Sequence, residues 1–314
     1  MVKQGLPLQP TLVSVVVALI LAGAGGVGAS AYVSSTDIVD TLWRRLSSEI
    51  AAATTQHALR YLEPAAPFVE TTQRLAKAGR VDPSDHLGTL DYLRAGFEAN
   101  PEFTWVSHGG EDGTYIAVYR QPDGEVRGTV RRQRPAEEGG GTLFTDYVPA
   151  AVGWRSVGEK RGSYDPRERP WYDSGARSDD GVWVEPFLFA TALQPGFMYV
   201  ARDRHQSGTR GVWAVEYEVS YLSELLATLE VGISGRVYVI TREGLVVGHP
   251  AGEVTVDRGG TTVIANAANH EDPMLRGAWN ELSSLGLGSR SFAFDGYLAM
   301  AEPFPPESGI DWLV

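Results

Sequence analysis

The sequence predicts an α+β fold, in which a long N-terminal helix precedes two stacked modules built on antiparallel sheets. Three observations support this prediction. An uncharged apolar run near the N-terminus passes directly into a segment with helical periodicity. Beyond residue 100, apolar residues alternate with period two between Gly- and Asp-containing turns, as they do in strands. Helices recur among these strands in mixed runs, which favours antiparallel sheets over a parallel βαβ arrangement.

The composition bounds the function before any motif is considered. The chain has 314 residues, enough for two domains, with 43% hydrophobic and 21% charged residues, as in globular proteins. Its formal net charge of −12 argues against binding to nucleic acid or to anionic lipid surfaces. It contains no cysteine, which excludes disulfides, thiolate metal sites and cysteine nucleophiles.

The N-terminal region, residues 1–33, predicts a transmembrane anchor. Lys3 is its only charged residue, and the apolar run Thr11–Val33 is long enough to cross a bilayer, which takes about 20 residues. A cleaved signal peptide is the alternative, with the core Leu12–Ala22 and a cleavage site at Ala29–Ala31. Both interpretations export the residues after 33 to the periplasm or the extracellular space, and the favoured anchor places the protein at the inner (cytoplasmic) membrane.

The pattern of residues 34–80 predicts a stalk helix. Apolar residues recur every three or four positions through Leu62, and Pro64 and Pro67 interrupt the pattern before a shorter helix at Val69–Ala78. This stripe is a candidate seam for a homodimer. Its members are Ile38, Leu42, Leu46, Ile50 and Ala53.

The first module is predicted to comprise residues 81–229. A turn and N-cap at Asp82–Asp85 begin a helix that ends at Asn100. An arginine-rich stretch is expected to be a solvated outer face, because acidic residues lie beside it; it comprises Arg120, Arg127, Arg131, Arg132 and Arg134. The predicted strands are Phe103–Ser107, Thr114–Arg120, Glu125–Arg132, Val182–Phe189, Phe197–Ala201 and Gly211–Glu218, before a short helix at Tyr221–Leu229.

A second, truncated module is predicted to comprise residues 230–314. Strands are expected at Gly235–Thr241 and Leu245–His249, and a helix at Asp272–Leu285. A hairpin is expected around Asp295-Gly296. The chain ends in the strand-like run Ile310–Val314, so we expect it to stop inside an element of a longer protein.

One segment carries a recognisable motif. The stretch Tyr164-Asp165-Pro166-Arg167-Glu168-Arg169-Pro170-Trp171-Tyr172 resembles the signature of double Cache domains, the extracytoplasmic sensors of bacterial transmembrane signalling proteins. Gly211–Tyr217 and Ser234–Ile240 are similar to further stretches of that family. The resemblance implies two PAS-like modules, a membrane-distal one that binds ligand and a membrane-proximal one. It also implies a second membrane helix and a cytoplasmic output domain, such as an adenylate or guanylate cyclase or a histidine kinase.

The resemblance also implies a ligand site in the distal module. In amino-acid-binding members, an arginine and aromatic residues hold the ligand carboxylate, and acidic residues hold its ammonium group. The carboxylate half is kept here, and an arginine fork suits a carboxylate. Its residues are Tyr164, Arg169, Trp171 and Tyr172.

The ammonium half departs from the family. Phe187 and Phe189 stand where that subfamily has a Tyr-x-Asp pair, and Glu216 stands where it has a further Asp. A small carboxylate without an amine, an organic acid rather than an amino acid, is therefore the expected ligand. The alternative is structural: Arg169 would pair with Asp165 or Glu216, and the aromatic residues would be core.

The sequence contains no recognisable catalytic motif. The six histidines are scattered without metal-ligand spacing, and neither a Gly-x-Ser-x-Gly elbow nor a phosphate-binding loop occurs. We therefore expect no cofactor, no metal and no catalysis within this chain. The predicted function is an extracytoplasmic small-molecule sensor, and the alternative is a stand-alone exported solute-binding or scaffold protein.

Overall fold

The computed structural model describes residues 8–121, 123–189, 195–205, 208–231 and 234–314. It divides into two compact units, one up to Ala52 and the other from Ala53 to Val314. Helix α1, Leu8–Leu62, belongs in part to each unit. The stalk helix predicted up to Leu62 is confirmed, and it extends further toward the N-terminus.

The first unit consists of the N-terminal part of α1. Its segment Val13–Tyr32 has a mean hydropathy of 2.1 and no buried residue. Its length and composition suit a membrane-spanning helix and equally a signal sequence, which also lies near an N-terminus. Further along, Ile38, Leu42 and Leu46 of the apolar stripe are 57%, 61% and 54% exposed.

Two helices follow α1 where the sequence places breaks and caps. Helix α2, Ala65–Lys77, begins directly after Pro64, as expected for a proline at a helix start. Helix α3, His86–Ala99, is capped by Asp85, whose carboxylate accepts a hydrogen bond from the Gly88 N–H at 3.1 Å. The predicted cap and helix at this position are confirmed.

The largest element is an eight-stranded antiparallel sheet with strand order β5-β4-β3-β2-β1-β8-β7-β6. Residues 81–229 supply all of its strands. Two short helices accompany it, α4 (Pro170–Arg177) and α5 (Ser220–Ala227). The strands are β1 (Trp105–Gly110), β2 (Tyr115–Arg120), β3 (Val126–Gln133), β4 (Thr142–Pro149), β5 (Trp154–Gly162), β6 (Val182–Leu188), β7 (Pro195–His205) and β8 (Gly208–Glu218).

Different helices cover the two faces of this sheet. Successive residues of a strand point to opposite faces, so neighbouring side chains pack against different helices. On β8, Tyr217 faces the α1 and α2 side, where its hydroxyl donates to the Leu62 carbonyl at 3.3 Å and its ring lies 5.7 Å from Phe103. Ala214 lies on the other face, in a core cluster with Trp171 of α4. That second face carries the candidate site.

Residues 230–314 build smaller sheets. A three-stranded sheet has the order β10-β9-β15, and two hairpins, β11–β12 and β13–β14, stand beside it. Helix α6, Pro273–Leu285, is capped by Asp272. The β13–β14 turn has Asp295 and Gly296 at φ 45° and 82°, which confirms the hairpin predicted there. The strands are β9 (Val239–Thr241), β10 (Val246–Gly248), β11 (Thr255–Asp257), β12 (Thr262–Ile264), β13 (Arg290–Phe294), β14 (Tyr297–Ala301) and β15 (Trp312–Leu313).

The structure corrects the sequence prediction in one important place. The arginine-rich stretch is not a uniformly solvated face, because Arg131 is only 6% exposed. Strand β3 is hydrogen-bonded on both sides, to β2 and β4, and therefore lies inside the sheet rather than at its edge. Arg131 points to the face that carries α4, whereas its neighbour Arg132 is exposed. Strands β4 and β5 and helix α4 are additional elements that the pattern did not predict.

Candidate ligand-binding site

A pocket opens on the α4 face of the large sheet. The empty space between its walls is about 350 Å³, with the open solvent at its mouth included. Two arginines, one glutamate, six aromatic side chains and one methionine form its wall. The lining residues are Trp105, Tyr115, Arg131, Tyr164, Arg169, Trp171, Phe187, Phe189, Met198 and Glu216.

The motif segment forms one wall because its turns are fixed by local hydrogen bonds. Asp165 accepts a hydrogen bond from the Arg167 N–H at 2.9 Å and starts a 3₁₀ turn at Pro166–Glu168. Pro170 then occupies the first turn of α4, which leaves Arg169 at the N-cap. Trp171, one residue further on, is 2% exposed.

The sheet forms the opposite wall through its register. Trp105 on β1 is paired with Glu216 on β8, and Tyr115 on β2 is paired with Arg131 on β3. Because these residues share one face, the four side chains converge although they lie far apart in sequence.

Glu216 is the only acidic side chain among the lining residues, and it is 7% exposed. Its Oε1 accepts a hydrogen bond from the Tyr115 hydroxyl at 3.4 Å. Burial raises the pKa of Glu216 to about 8, against the opposing effects of Arg131, of the Tyr115 hydrogen bond and of Arg169. The side chain is therefore mainly neutral at pH 7.

Arg131 is a buried cation enclosed by aromatic rings. Its guanidinium carbon lies 4.4 Å from the ring centre of Tyr164, 4.7 Å from that of Phe144 and 5.1 Å from that of Tyr115. Its Nε is buried without a hydrogen-bond partner, and within the described part of the chain it forms no ion pair. Such a charge is costly to bury unless an anion accompanies it.

Arg169 is half-buried at the edge of the same pocket. Its charge counteracts the rise in the pKa of both Glu216 and Tyr164, so it lies near both groups. Asp165, one of its two expected structural partners, is instead engaged by Arg167 at 2.5 Å. The alternative in which Asp165 holds Arg169 is therefore wrong.

The sequence prediction placed seven residues in this site, and the structure brings six of them together around the pocket. Tyr172 is the exception. It is half-buried, with its ring 5.8 Å from that of Trp171, and it packs over Gly109 outside the lining. Contact of the other six with a ligand remains a prediction.

Sequence reasoning missed four lining residues, of which Arg131 matters most for charge. The other three are Trp105, Tyr115 and Met198. The sequence feature that pointed to them was the period-two alternation, which shows which residues of one strand share a face. The pairing that brings β1, β2, β3 and β8 together was not readable from that pattern.

A second group of titratable residues lies in residues 230–314, where His249, Glu253 and His270 bring potential metal-ligand atoms within 4.8 Å of one another. Hydrogen bonds already occupy the two rings. The Nδ1 atoms of His249 and His270 accept from the backbone N–H groups of Ala251 and Asp272 at 3.1 and 3.0 Å.

Consequently the Nε2 atoms of these neutral rings carry the protons. They donate to the Asp272 carboxylate at 3.3 Å and to the Glu253 carbonyl at 2.8 Å. Burial lowers the pKa of His249. Burial alone would raise the pKa of Asp272, but hydrogen bonds from Tyr238, the Met274 N–H and Arg236 lower it to about 2. This arrangement suits a structural hydrogen-bond network.

Solved structures with the same architecture are ligand-binding domains of bacterial chemoreceptors. The ligand-binding domain of PctC from Pseudomonas aeruginosa, in complex with GABA, is 18% identical, with a TM-score of 0.55 over 86% of this chain and 96% of that domain. The chain has the double Cache fold. The domain of CtaA from Pseudomonas fluorescens, in complex with L-isoleucine, has a TM-score of 0.54 at 16% identity over 88% of this chain and 92% of that domain.

Curated relatives of this double Cache chain are methyl-accepting chemotaxis proteins. McpG of Pseudomonas putida is 22% identical over 145 residues, which are 46% of this chain, and PctB of Pseudomonas aeruginosa is 21% identical over 179 residues, which are 56% of it. The matched segments cover only 22% and 26% of those relatives. No protein-family profile matches the chain.

Proposed function

We propose that this chain is the extracytoplasmic sensor of a transmembrane signalling protein and that it binds a small organic carboxylate in the pocket of its distal module. The observation that carries the proposal is the charge arrangement of the pocket. Arg131 and Arg169 contribute two permanent positive charges, whereas the acidic residue Glu216 is mainly neutral at pH 7. An anion is the ligand that this arrangement stabilises.

An organic acid fits better than an α-amino acid. Phe187 and Phe189 line the pocket, and their rings, 5.6 Å apart, offer no acceptor for an ammonium group. Glu216 would have to ionise to pair with it, and its pKa of about 8 opposes ionisation.

An α-amino acid or a related amine remains the second candidate. Similar domains were solved in complex with GABA and with L-isoleucine, and Glu216 is a carboxyl group in the pocket. A bound ammonium ion would lower the pKa of Glu216 and favour its charged form.

The signalling context is also a proposal. The apolar helix segment Val13–Tyr32 and the chemotaxis-receptor relatives support a membrane-anchored protein with its sensor outside the cytoplasm, at the inner membrane. Distal and proximal modules at residues 81–229 and 230–314, a homodimer through α1 and a separate output domain complete the proposed plan. Ligand would shift the sensor between two arrangements only through its different affinity for each.

A thermal-shift screen of the full chain in detergent micelles tests this function. We expect organic acids to raise the melting temperature, and Arg169→Ala to abolish that rise. A ligand at 100 times its Kd stabilises the fold by about 2.7 kcal/mol, which is readily measured. Amino acids that stabilise the chain while organic acids do not would contradict the ligand class. A well-folded chain that responds to neither would contradict the site.

A further inference from the structure

The pocket presents a second cation that the carboxylate motif does not include. Arg169 comes from the loop before α4, and Arg131 comes from β3 in the sheet, so the two side chains enter the pocket from different walls. The motif accounts for one carboxylate at Arg169. It leaves the buried charge of Arg131 without an anion.

Arg131 is held in place rather than used elsewhere. Three aromatic rings enclose its guanidinium at 4.4–5.1 Å, and Tyr164 is itself fixed by its carbonyl, which accepts hydrogen bonds from Gln133 at 2.8 Å and Thr142 at 2.9 Å. A planar cation that is already ordered loses little entropy when it binds an oxyanion. The surrounding rings therefore preorganise Arg131 for a ligand.

The charges of the lining residues indicate how many negative charges that ligand carries. Glu216 is the one lining acid, and it is only 7% exposed, so burial opposes the loss of its proton. Two guanidinium groups beside a neutral carboxyl group are balanced by two negative charges. Phe187, Phe189 and Met198 add apolar surface to the same lining, which suits a short hydrocarbon spacer.

We propose that the ligand is a short dicarboxylate, with one carboxylate on Arg169 and the other on Arg131. This inference rests on the proposed function, because it specifies the ligand of the same site. It adds a specificity residue, Arg131, that distinguishes dianions from monoanions.

Calorimetric titration of the full chain in detergent micelles tests the assignment with three matched probes. Succinate and butyrate share a four-carbon chain and differ in one carboxylate, and aspartate adds an amine to succinate. We expect succinate to bind about 10- to 100-fold more tightly than butyrate, the gain from one charge-assisted hydrogen-bonded pair.

Variants identify the residue responsible. Arg131→Gln is expected to remove the succinate advantage while changing butyrate affinity by less than about threefold, and Arg169→Gln to weaken both ligands. Arg132→Gln, an exposed neighbour on β3, is the matched control and is expected to leave both unchanged. If Arg131→Gln fails to fold, the ratio of the two affinities in the unaltered chain still decides.

The outcomes separate the two proposals. If butyrate and succinate bind equally and depend on Arg169, the dicarboxylate inference is overturned and the carboxylate sensor stands. If aspartate binds more tightly than succinate, the amine is recognised and the organic-acid preference is overturned. If none of the three binds and malonate and glutarate also fail, both proposals are overturned.

Discussion

At the residue scale, the proposed ligand site predicts that Glu216 makes binding dependent on pH. Its carboxyl group lies beside both arginines, and burial raises its pKa to about 8. Below that pH the group is neutral and leaves the arginines available. Above it, ionisation adds a negative charge that repels an anionic ligand and competes for the same cations.

We therefore predict that carboxylate affinity is constant from pH 6 to 7 and falls above pH 8, by up to about tenfold per pH unit. Glu216→Gln, which stays neutral, should show a flat profile over this range. Calorimetric titration of both proteins at successive pH values measures the difference. An affinity that rises with pH would mean that the ionised carboxylate assists binding, as it would for an amine ligand.

The family resemblance was enough to predict six of the lining residues. Three lie in the continuous motif segment, and Phe187, Phe189 and Glu216 stand at positions given by the family pattern. Arg131 was assigned to the solvent because acidic residues surround it in sequence. Its burial depends on the rings around its guanidinium group, among them Phe144, the residue of β4 that is paired with Arg131. Neighbours in sequence say little about a strand residue whose environment comes from the adjacent strands.

At the scale of elements, α4 can approach the sheet only because β1 carries a glycine. A Cβ placed on Gly109 would lie 2.6 Å from the Trp171 ring and 3.0 Å from Pro166. Trp171 in turn forms part of the pocket wall. The small residue thus determines where α4, and one wall of the site, can lie.

Gly109→Ala is predicted to destabilise the fold by about 1–3 kcal/mol, because the added methyl group overpacks this contact. It should also weaken carboxylate binding, although Gly109 is not part of the lining. Gly158→Ala on β5 is the control, since its Cβ would meet nothing within 4 Å. Denaturant unfolding followed by circular dichroism, and titration of each variant, measure the two effects. Equal behaviour of the two variants would show that α4 can shift without cost.

Elements with their own local signals were predictable, and those defined by partners were not. The cap at Asp85, the prolines after α1 and the Asp295-Gly296 turn each act within a few residues. Strand β5 is exposed along most of its length and has no apolar alternation. It is a strand because β4 offers a partner, which is tertiary information.

At the scale of the whole molecule, residues 53–314 hold together through an aromatic contact between distant segments. Trp312 on the last strand, β15, packs on Phe197 of the large sheet with ring centres 4.8 Å apart, and on Phe304 at 5.7 Å. It is 4% exposed. The proposed distal and proximal modules therefore share this core contact.

Trp312→Ala is predicted to lower the free energy of unfolding by about 3–5 kcal/mol, the usual cost of removing a large buried aromatic side chain. Leu298→Ala, at a site 53% exposed, should change it by no more than about 0.5 kcal/mol. Denaturant unfolding measures both. A small effect of Trp312→Ala would indicate that the modules are stable independently of this contact.

The N-terminal helix carries the prediction about assembly. Ile38, Leu42 and Leu46 are exposed on α1, and the chain has no cysteine to interfere with a crosslinking scan. Single cysteines at these positions are expected to form disulfide-linked dimers in membranes, because they share one apolar stripe. Arg44→Cys, on the opposite side of the helix, should not. Uniform crosslinking, or none at any position, would argue against a homodimer through this stripe.

The most direct test of the central claim, that the pocket binds a carboxylate through its arginines, is a crystal structure of the chain grown with succinate. We predict ligand density between Arg131 and Arg169, with carboxylate oxygens about 3 Å from each guanidinium group. Density bound elsewhere, or an empty pocket at a succinate concentration that saturates binding in solution, would contradict the account.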